Sequence, residues 1–228
     1  MIKINLAKRI QHRLKLLQER RRLTKNLKYL RRRSEAVAPR SVKIIDCGFN
    51  KGEVAAELLS AVPTASLVGF EVQQDIRHYA DELAQKFPDR DIDVIYKALA
   101  VKDGEINYFE PESWGKNHKG GTTVIMGKKS QGVNYSIPKR AEAIDFSNWL
   151  LTNINKEDFV FVKMDIEGGE YPVIESLIHT GGINVIDVLA VEWHAKKFPE
   201  PQRSAFILIE KQLEQCARDS DLELLEWY

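Results

Sequence analysis

Val42-Lys43-Ile44-Ile45-Asp46-Cys47-Gly48-Phe49-Asn50-Lys51-Gly52 joins a run of β-favouring residues to a glycine-bearing turn. Glu53 to Ala61 follows as a helix with Val54, Ala55, Leu58 and Leu59 on one face. A strand that turns sharply into a helix opens a right-handed βαβ unit, and such units build parallel sheets. The alternation continues along the chain. Ser66 to Glu71 reads as a second strand, feeding a helix in which Ile76, Tyr79, Ala80, Leu83 and Phe87 keep helical spacing up to Pro88. Ile92 to Ala98 reads as a third strand, and Phe159 to Asp165 as the most strand-like run of all. Glu170 to His179 is then a helix, with Pro172 in its first turn and Gly181-Gly182 beyond its end. Val188 to Trp193 is a further strand, Gln202 to Ala217 a helix with Phe206, Ile209, Leu213 and Cys216 inward, and Leu222 to Trp227 a closing strand. The expectation is an α/β domain around a mostly parallel central sheet.

The Asp103-Gly104 turn, flanked by Val101 and Ile106, suggests a hairpin running to Phe109. Residues 111–140 are rich in Gly, Lys, Asn and Ser and read as a loop insertion with a short strand at Thr122 to Met126, suited to covering a site. Upstream, Leu6, Ile10, Leu14, Leu17, Leu23, Leu27 and Leu30 roughly fit one stripe of a long helix. Ala38-Pro39-Arg40 closes it, because the residue before a proline is pushed out of the helical region. Residues 1–40 are thus expected as a basic amphipathic helical extension and residues 41–228 as the α/β domain.

At 228 residues the chain suits one well-cored domain plus an extension. Its net charge of +1 hides a division: residues 1–40 hold 14 Lys and Arg against Glu19 and Glu35, a net of +12, which leaves −11 for residues 41–228. The two parts face different partners. No apolar run reaches the ~20 residues of a bilayer crossing, and Met1 to Lys15 lacks the apolar stretch of a signal peptide, so the expected compartment is cytoplasmic. Cys47 and Cys216 are too few and too far apart for a disulfide framework or a zinc knuckle, and both read as small buried apolar residues.

The turn after the first strand lies where open parallel sheets bind ligands, beyond the carboxyl ends of their strands. Glu71 ends the next strand 25 residues after Asp46, where a carboxylate can accept hydrogen bonds from ribose hydroxyls. A solvated acid at a helix start is the plainer reading of that residue. A dinucleotide fingerprint needs G-x-G-x-x-G to hold a pyrophosphate, whereas this turn keeps Asp46, Asn50 and only two glycines, Gly48 and Gly52. That composition suits an adenosine cofactor without phosphates, whose ammonium needs an acceptor. Val162-Lys163-Met164-Asp165-Ile166-Glu167-Gly168-Gly169-Glu170 sets three carboxylates around a glycine pair. Acids so placed cost desolvation unless they are paired, bind a cation or face a substrate; a helix start favoured by its dipole is the structural alternative.

The set Asp46-x-Gly48-x-Asn50-x-Gly52, Phe70-Glu71, Leu99-Ala100 before Asp103-Gly104-Glu105, Lys163-x-Asp165-x-Glu167-Gly168-x-Glu170 and Val191-Glu192-x-His194 resembles the FkbM-type methyltransferase family over roughly residues 42–195. The resemblance implies a Rossmann-like class I methyltransferase fold, S-adenosylmethionine as cofactor, and methyl transfer to a hydroxyl of a sugar or other small metabolite. It implies cofactor contacts at Asp46, Gly48, Asn50, Gly52, Glu71, Ala98 and Asp165. Three positions depart from the family pattern: Val72 stands where a proline is frequent, and Phe49 and Lys51 make the first loop bulkier.

Methyl transfer from a sulfonium is an in-line displacement, so the protein positions the acceptor and removes its proton. Candidate groups stand at the strand ends bearing Asp165, Glu167, Glu192 and His194, with His194 or Asp165 as the expected base. Asp165, Glu192 and His194 also form a possible oxygen-and-nitrogen set for a divalent cation. A strand-end histidine is more often hydrogen-bonded than ligating, and no metal is assigned. The arm allows packing on its own domain or a partner, an anionic membrane surface, or nucleic acid. An RNA-directed methyltransferase, or a nucleic-acid-associated binding module, is therefore the alternative function.

Overall fold

The computed structural model describes residues 2–37, 40–112, 120–129 and 132–227, with side chains from Arg13 onward except that of Lys15. Its strands in chain order are β1 (Val42–Cys47), β2 (Ser66–Phe70), β3 (Ile92–Ile95), β4 (Ala98–Ala100), β5 (Gly104–Tyr108), β6 (Lys139–Asp145), β7 (Phe159–Met164), β8 (Val188–Val191) and β9 (Glu223–Glu226). Its helices are α1 (Ile2–Ala36), α2 (Glu53–Ala61), α3 (His78–Lys86), α4 (Phe146–Asn153), α5 (Glu170–Thr180) and α6 (Gln202–Arg218).

The main sheet has the order β3-β2-β1-β7-β8-β9, and every pairing within it is parallel. β7 is buried at every residue and β1 at all but Lys43, which is why both read as predominantly apolar runs. Winding proceeds from β1 through β2 to β3 on one side and through β7, β8 and β9 on the other. The chain therefore reverses direction at the seam between β1 and β7, the place where such sheets open a crevice.

Two apolar layers cover the sheet. On one face lie Phe146 and Leu150 of α4, Val173, Ile174 and Leu177 of α5, and Phe206, Ile209 and Leu213 of α6. On the other lie Ala55, Leu58 and Leu59 of α2, Leu83 of α3, and Leu23 and Leu30 of α1. The basic helix thus supplies part of the core. Asn26 donates from Nδ2 to the Glu226 carbonyl (3.0 Å), and Arg22 and Arg33 pair with Glu226 (2.6 Å) and Glu223 (2.5 Å). The leucine stripe does not dock as a whole: Leu14 and Leu17 are each 55% exposed, while Leu30 is fully buried. The six-residue step from Leu17 to Leu23 turns the two groups onto different faces, since residues three or four apart share a face and six apart do not. The side chains of Leu6 and Ile10, and the helix stop read at Ala38-Pro39, lie outside the described residues.

Four local expectations are corrected. The run Ile92 to Ala98 is two strands, because a tight turn with Lys97 N–H on the Ile95 carbonyl (3.0 Å) redirects the chain from the main sheet into a second one. That second sheet has the order β4-β6-β5, so β4 and β5 flank β6 instead of forming a hairpin across Asp103-Gly104. At Thr122 to Met126 there is a single bridge, Thr123 to Phe109, in place of a strand. Cys47 is buried, whereas Cys216 is only half-buried. β6 and α4 had no counterpart in the sequence reading.

Among the described residues no helix is long and apolar enough to cross a membrane. Truncating Leu30 to Ala is expected to destabilise the fold by about 2–5 kcal/mol, the range for an emptied core site. Leu14→Ala is expected to stay within about 0.5 kcal/mol of the parent, as exposed sites do. Urea denaturation of the two variants measures both.

Candidate active site

The loops leaving β1 and β7 meet at the seam. Gly48 has φ 89, and a Cβ placed on it would overlap the carbonyl oxygen of Asp165, so the two loops approach as only glycine permits. Gly48 and Phe49 N–H groups donate to the Phe70 carbonyl (3.0 and 2.9 Å), tying the turn to the end of β2. The Phe49 ring is buried between Gly52 and Gly69 and fills the space beneath the turn. Asn50 takes a left-handed φ of 51, and its N–H donates to Glu71 Oε2 (2.8 Å). Gln73 N–H reaches the other oxygen, Oε1, at 2.9 Å. Burial raises the pKa of the Glu71 carboxyl although these bonds favour its charged form.

Above the seam lies a cavity of about 290 Å³. Gly48, Asn50, Glu71, Lys97, Ala98, Leu99, Lys163, Asp165 and Glu167 line it, with Gly120, Gly121, Thr122 and Val124 from the 111–140 segment on its rim. Of the residues singled out in the sequence, Asp46, Gly52, Glu192 and His194 are not part of the lining. Asp46 is fully buried behind it and pairs through Oδ1 with Lys163 Nζ at 3.0 Å. Lys163 also donates to the Gly48 carbonyl (3.0 Å) and lies 3.7 Å from Asp165 Oδ2. Desolvation raises the Asp46 pKa, with Lys163 acting against the rise.

Asp165, at the cavity wall, is pushed up to about 7 by burial, with Lys163 pulling down and Glu192 pushing up. His194 has no exposed surface. Its Nδ1 is 2.9 Å from Glu170 Oε1, and its backbone N–H donates to the Tyr171 hydroxyl at 2.9 Å. Its Nε2 faces Glu192 Oε1 (3.4 Å), Glu167 Oε2 (3.5 Å) and Asp165 Oδ1 (3.8 Å). Burial opposes the imidazolium charge, yet Glu170 and the other carboxylates raise its pKa to about 10. His194 is not part of the cavity lining. Of the two expected bases, only Asp165 lines the cavity.

Glu167 adopts φ 56, uncommon for a residue with a side chain, and its Oε2 lies 2.7 Å from both Lys128 and Lys197 Nζ. Burial works against its charge, but His194, Lys128 and Lys197 hold its pKa down at about 2. The Thr123 hydroxyl donates to the Glu167 carbonyl (2.7 Å) and Lys128 to the Gly121 carbonyl (2.7 Å), which pins the rim of the cavity to the loop after β7. Sequence reasoning missed these roles. Lys163 lay inside the quoted acidic block and was legible as the obvious counter-charge, whereas Lys128, Lys197 and Thr123 stand in loops without a spacing signal.

The sequence profile of the methyltransferase FkbM domain matches residues 46–219 of the chain. No curated protein matches it. Among solved structures, the plantazolicin methyltransferase BpumL in complex with SAH is similar with a TM-score of 0.38 and 11% identity, over 93% of this chain and 67% of that one.

Gly48→Ala is expected to destabilise the protein by about 1–3 kcal/mol, from a left-handed φ and an overlap that only a loop shift relieves. The urea midpoint reads the loss; a midpoint unchanged from the parent would contradict the close approach of the two loops.

Proposed function

The chain belongs to the methyltransferase FkbM family and is an S-adenosylmethionine-dependent methyltransferase, and from that premise we propose that it methylates a hydroxyl oxygen of a sugar or similar small polar metabolite. The observation that carries this reading is the joint presence of Glu71, Asn50 and Asp165 on one cavity wall. The residues fit the cofactor. Asn50 Oδ1 is buried with no hydrogen-bond partner among the described residues, an acceptor left for a ligand's donor. Glu71 keeps lone pairs beyond the two backbone bonds it accepts, enough for a pair of ribose hydroxyls. When bound, S-adenosylmethionine supplies a methyl group made electrophilic by its sulfonium.

Glu71 and Asn50 hold the adenosine and its polar groups, and Gly48 lets the backbone approach them. Asp46 acts one layer behind, fixing Lys163, which fixes the Gly48 carbonyl and the Asp165 side chain. Asp165 faces the acceptor, accepts a hydrogen bond from its hydroxyl and takes the proton as the oxygen attacks. Glu167, neutralised by two lysines, adds a second acceptor on the same wall. Carboxylates together with Lys97 and Thr122 suit a polyhydroxylated acceptor better than an aromatic one. His194 and Glu192 hold the wall in place from behind.

Asp165→Asn is expected to lower methyl transfer by roughly 10²–10⁴-fold, the usual worth of a positioned base, while S-adenosylmethionine affinity stays within a few-fold. Glu71→Ala is expected to weaken cofactor binding by at least about tenfold, or ~1.4 kcal/mol. Calorimetry reads the affinities. Mass spectrometry of a metabolite pool incubated with methyl-labelled cofactor reads the acceptor, and full activity of Asp165→Asn would refute the assignment.

A further inference from the structure

Behind the cavity wall, His194 is fully buried with its Nε2 aimed at three carboxylates, and that nitrogen has no hydrogen-bond partner among the described residues. The separations of 3.4, 3.5 and 3.8 Å to Glu192, Glu167 and Asp165 exceed those of an N–H···O bond. They match another geometry. Two atoms bonded to one ion at about 2.0–2.2 Å each sit roughly 3–4 Å apart. One donor atom each from Asp165, Glu167 and His194 already lie within 4.8 Å of one another. We propose that these three residues, with Glu192 beside them, bind one divalent first-row transition cation.

Three further observations support the site. Glu170 Oε1 at 2.9 Å from Nδ1 fixes the ring so that Nε2 points into the cluster, the arrangement by which a carboxylate orients a ligating histidine. Charge agrees. Within the linked ion pairs of the described residues, the carboxylates Asp46, Asp165, Glu167, Glu170 and Glu192 face the ammonium groups of Lys128, Lys163 and Lys197. An arriving ion displaces the proton from His194, and with the imidazole neutral two negative charges are left, which one divalent ion balances. Ligand type selects the metal, because an imidazole with carboxylates suits manganese, iron or zinc better than magnesium or calcium. Lys128 and Lys197 both occupy the Glu167 oxygen that faces His194, so they compete with the ion and weaken its binding.

The inference deepens the reading of Asp165 and Glu167 as the wall facing the acceptor and rests on it. Asp165 meets the ion through Oδ1, the oxygen facing His194, and keeps Oδ2 for the acceptor hydroxyl, which the ion's charge acidifies.

The test uses tag-free full-length protein stripped by a chelator. It is titrated with Mn²⁺, followed by the spin-resonance signal of the free ion, and with Zn²⁺, followed by elemental analysis after gel filtration. One ion per chain is expected. Glu170→Gln should weaken binding about 10- to 100-fold, as loss of an orienting partner does, and Lys197→Gln should tighten it. Because His194→Gln disturbs a fully buried, ion-paired position, Glu167→Gln, whose side chain is 15% exposed, is the second ligand variant, with circular dichroism as the control of folding. Uptake of neither ion beyond that of an Asp165→Asn/Glu167→Gln double variant overturns the site. S-adenosylmethionine affinity, measured separately on the stripped protein, tells whether the methyltransferase reading fails with it.

Discussion

Lys163 is a charged side chain in a strand buried at every residue, itself 2% exposed, and the rest of the site is arranged around keeping that charge paired. A buried ammonium survives only with close anionic and carbonyl partners. Here they come from two loops: Asp46 and the Gly48 carbonyl from the end of β1, Asp165 from the end of β7. Satisfying one cation therefore locks together the two strand ends where the sheet reverses its winding. Gly48 makes the closeness sterically possible and Lys163 makes it electrostatically necessary.

The same logic extends outward. His194 is held by Glu170 and by the Tyr171 hydroxyl, whose own proton goes to Glu210. Glu167 is held by Lys128 and Lys197, which carry the rim segment and the turn after β8 to the cavity. The cavity wall is thus the exposed front of a network whose back is solid core. On the opposite face α1 closes the sheet, spending its leucines at positions 23 and 30 on packing and its arginines on the acidic end of β9.

Legibility in the sequence followed burial. β1, β2, β7 and β8 are predominantly apolar, and each was located to within a residue or two. β6 escaped because Lys139-Arg140-Ala141-Glu142-Ala143 is made of poor strand formers and lies half-exposed in a small sheet, where pairing with β4 and β5 and not propensity makes the strand. α4 escaped by being short, although Asp145 accepting from Asn148 N–H is an ordinary helix-start signal. In the site, the acids at strand ends were visible because strand ends were. Which of them reach the cavity was not, because alternation along a strand gives the face of the sheet but not the depth of a loop residue after it leaves.

By itself the sequence determined the parallel α/β sheet, the glycine turn after β1, the carboxylates at its carboxyl edge and the basic character of the first helix, since each is a matter of local pattern. The tertiary structure alone decided that Asp46 pairs with Lys163 behind the cavity lining, that His194 lies behind the wall, that Lys128 and Lys197 neutralise Glu167, and that the leucine stripe of α1 divides. These depend on which distant segments share a dry, low-dielectric space, where an unpaired charge is costly enough to dictate its partner, and no spacing along the chain encodes that choice.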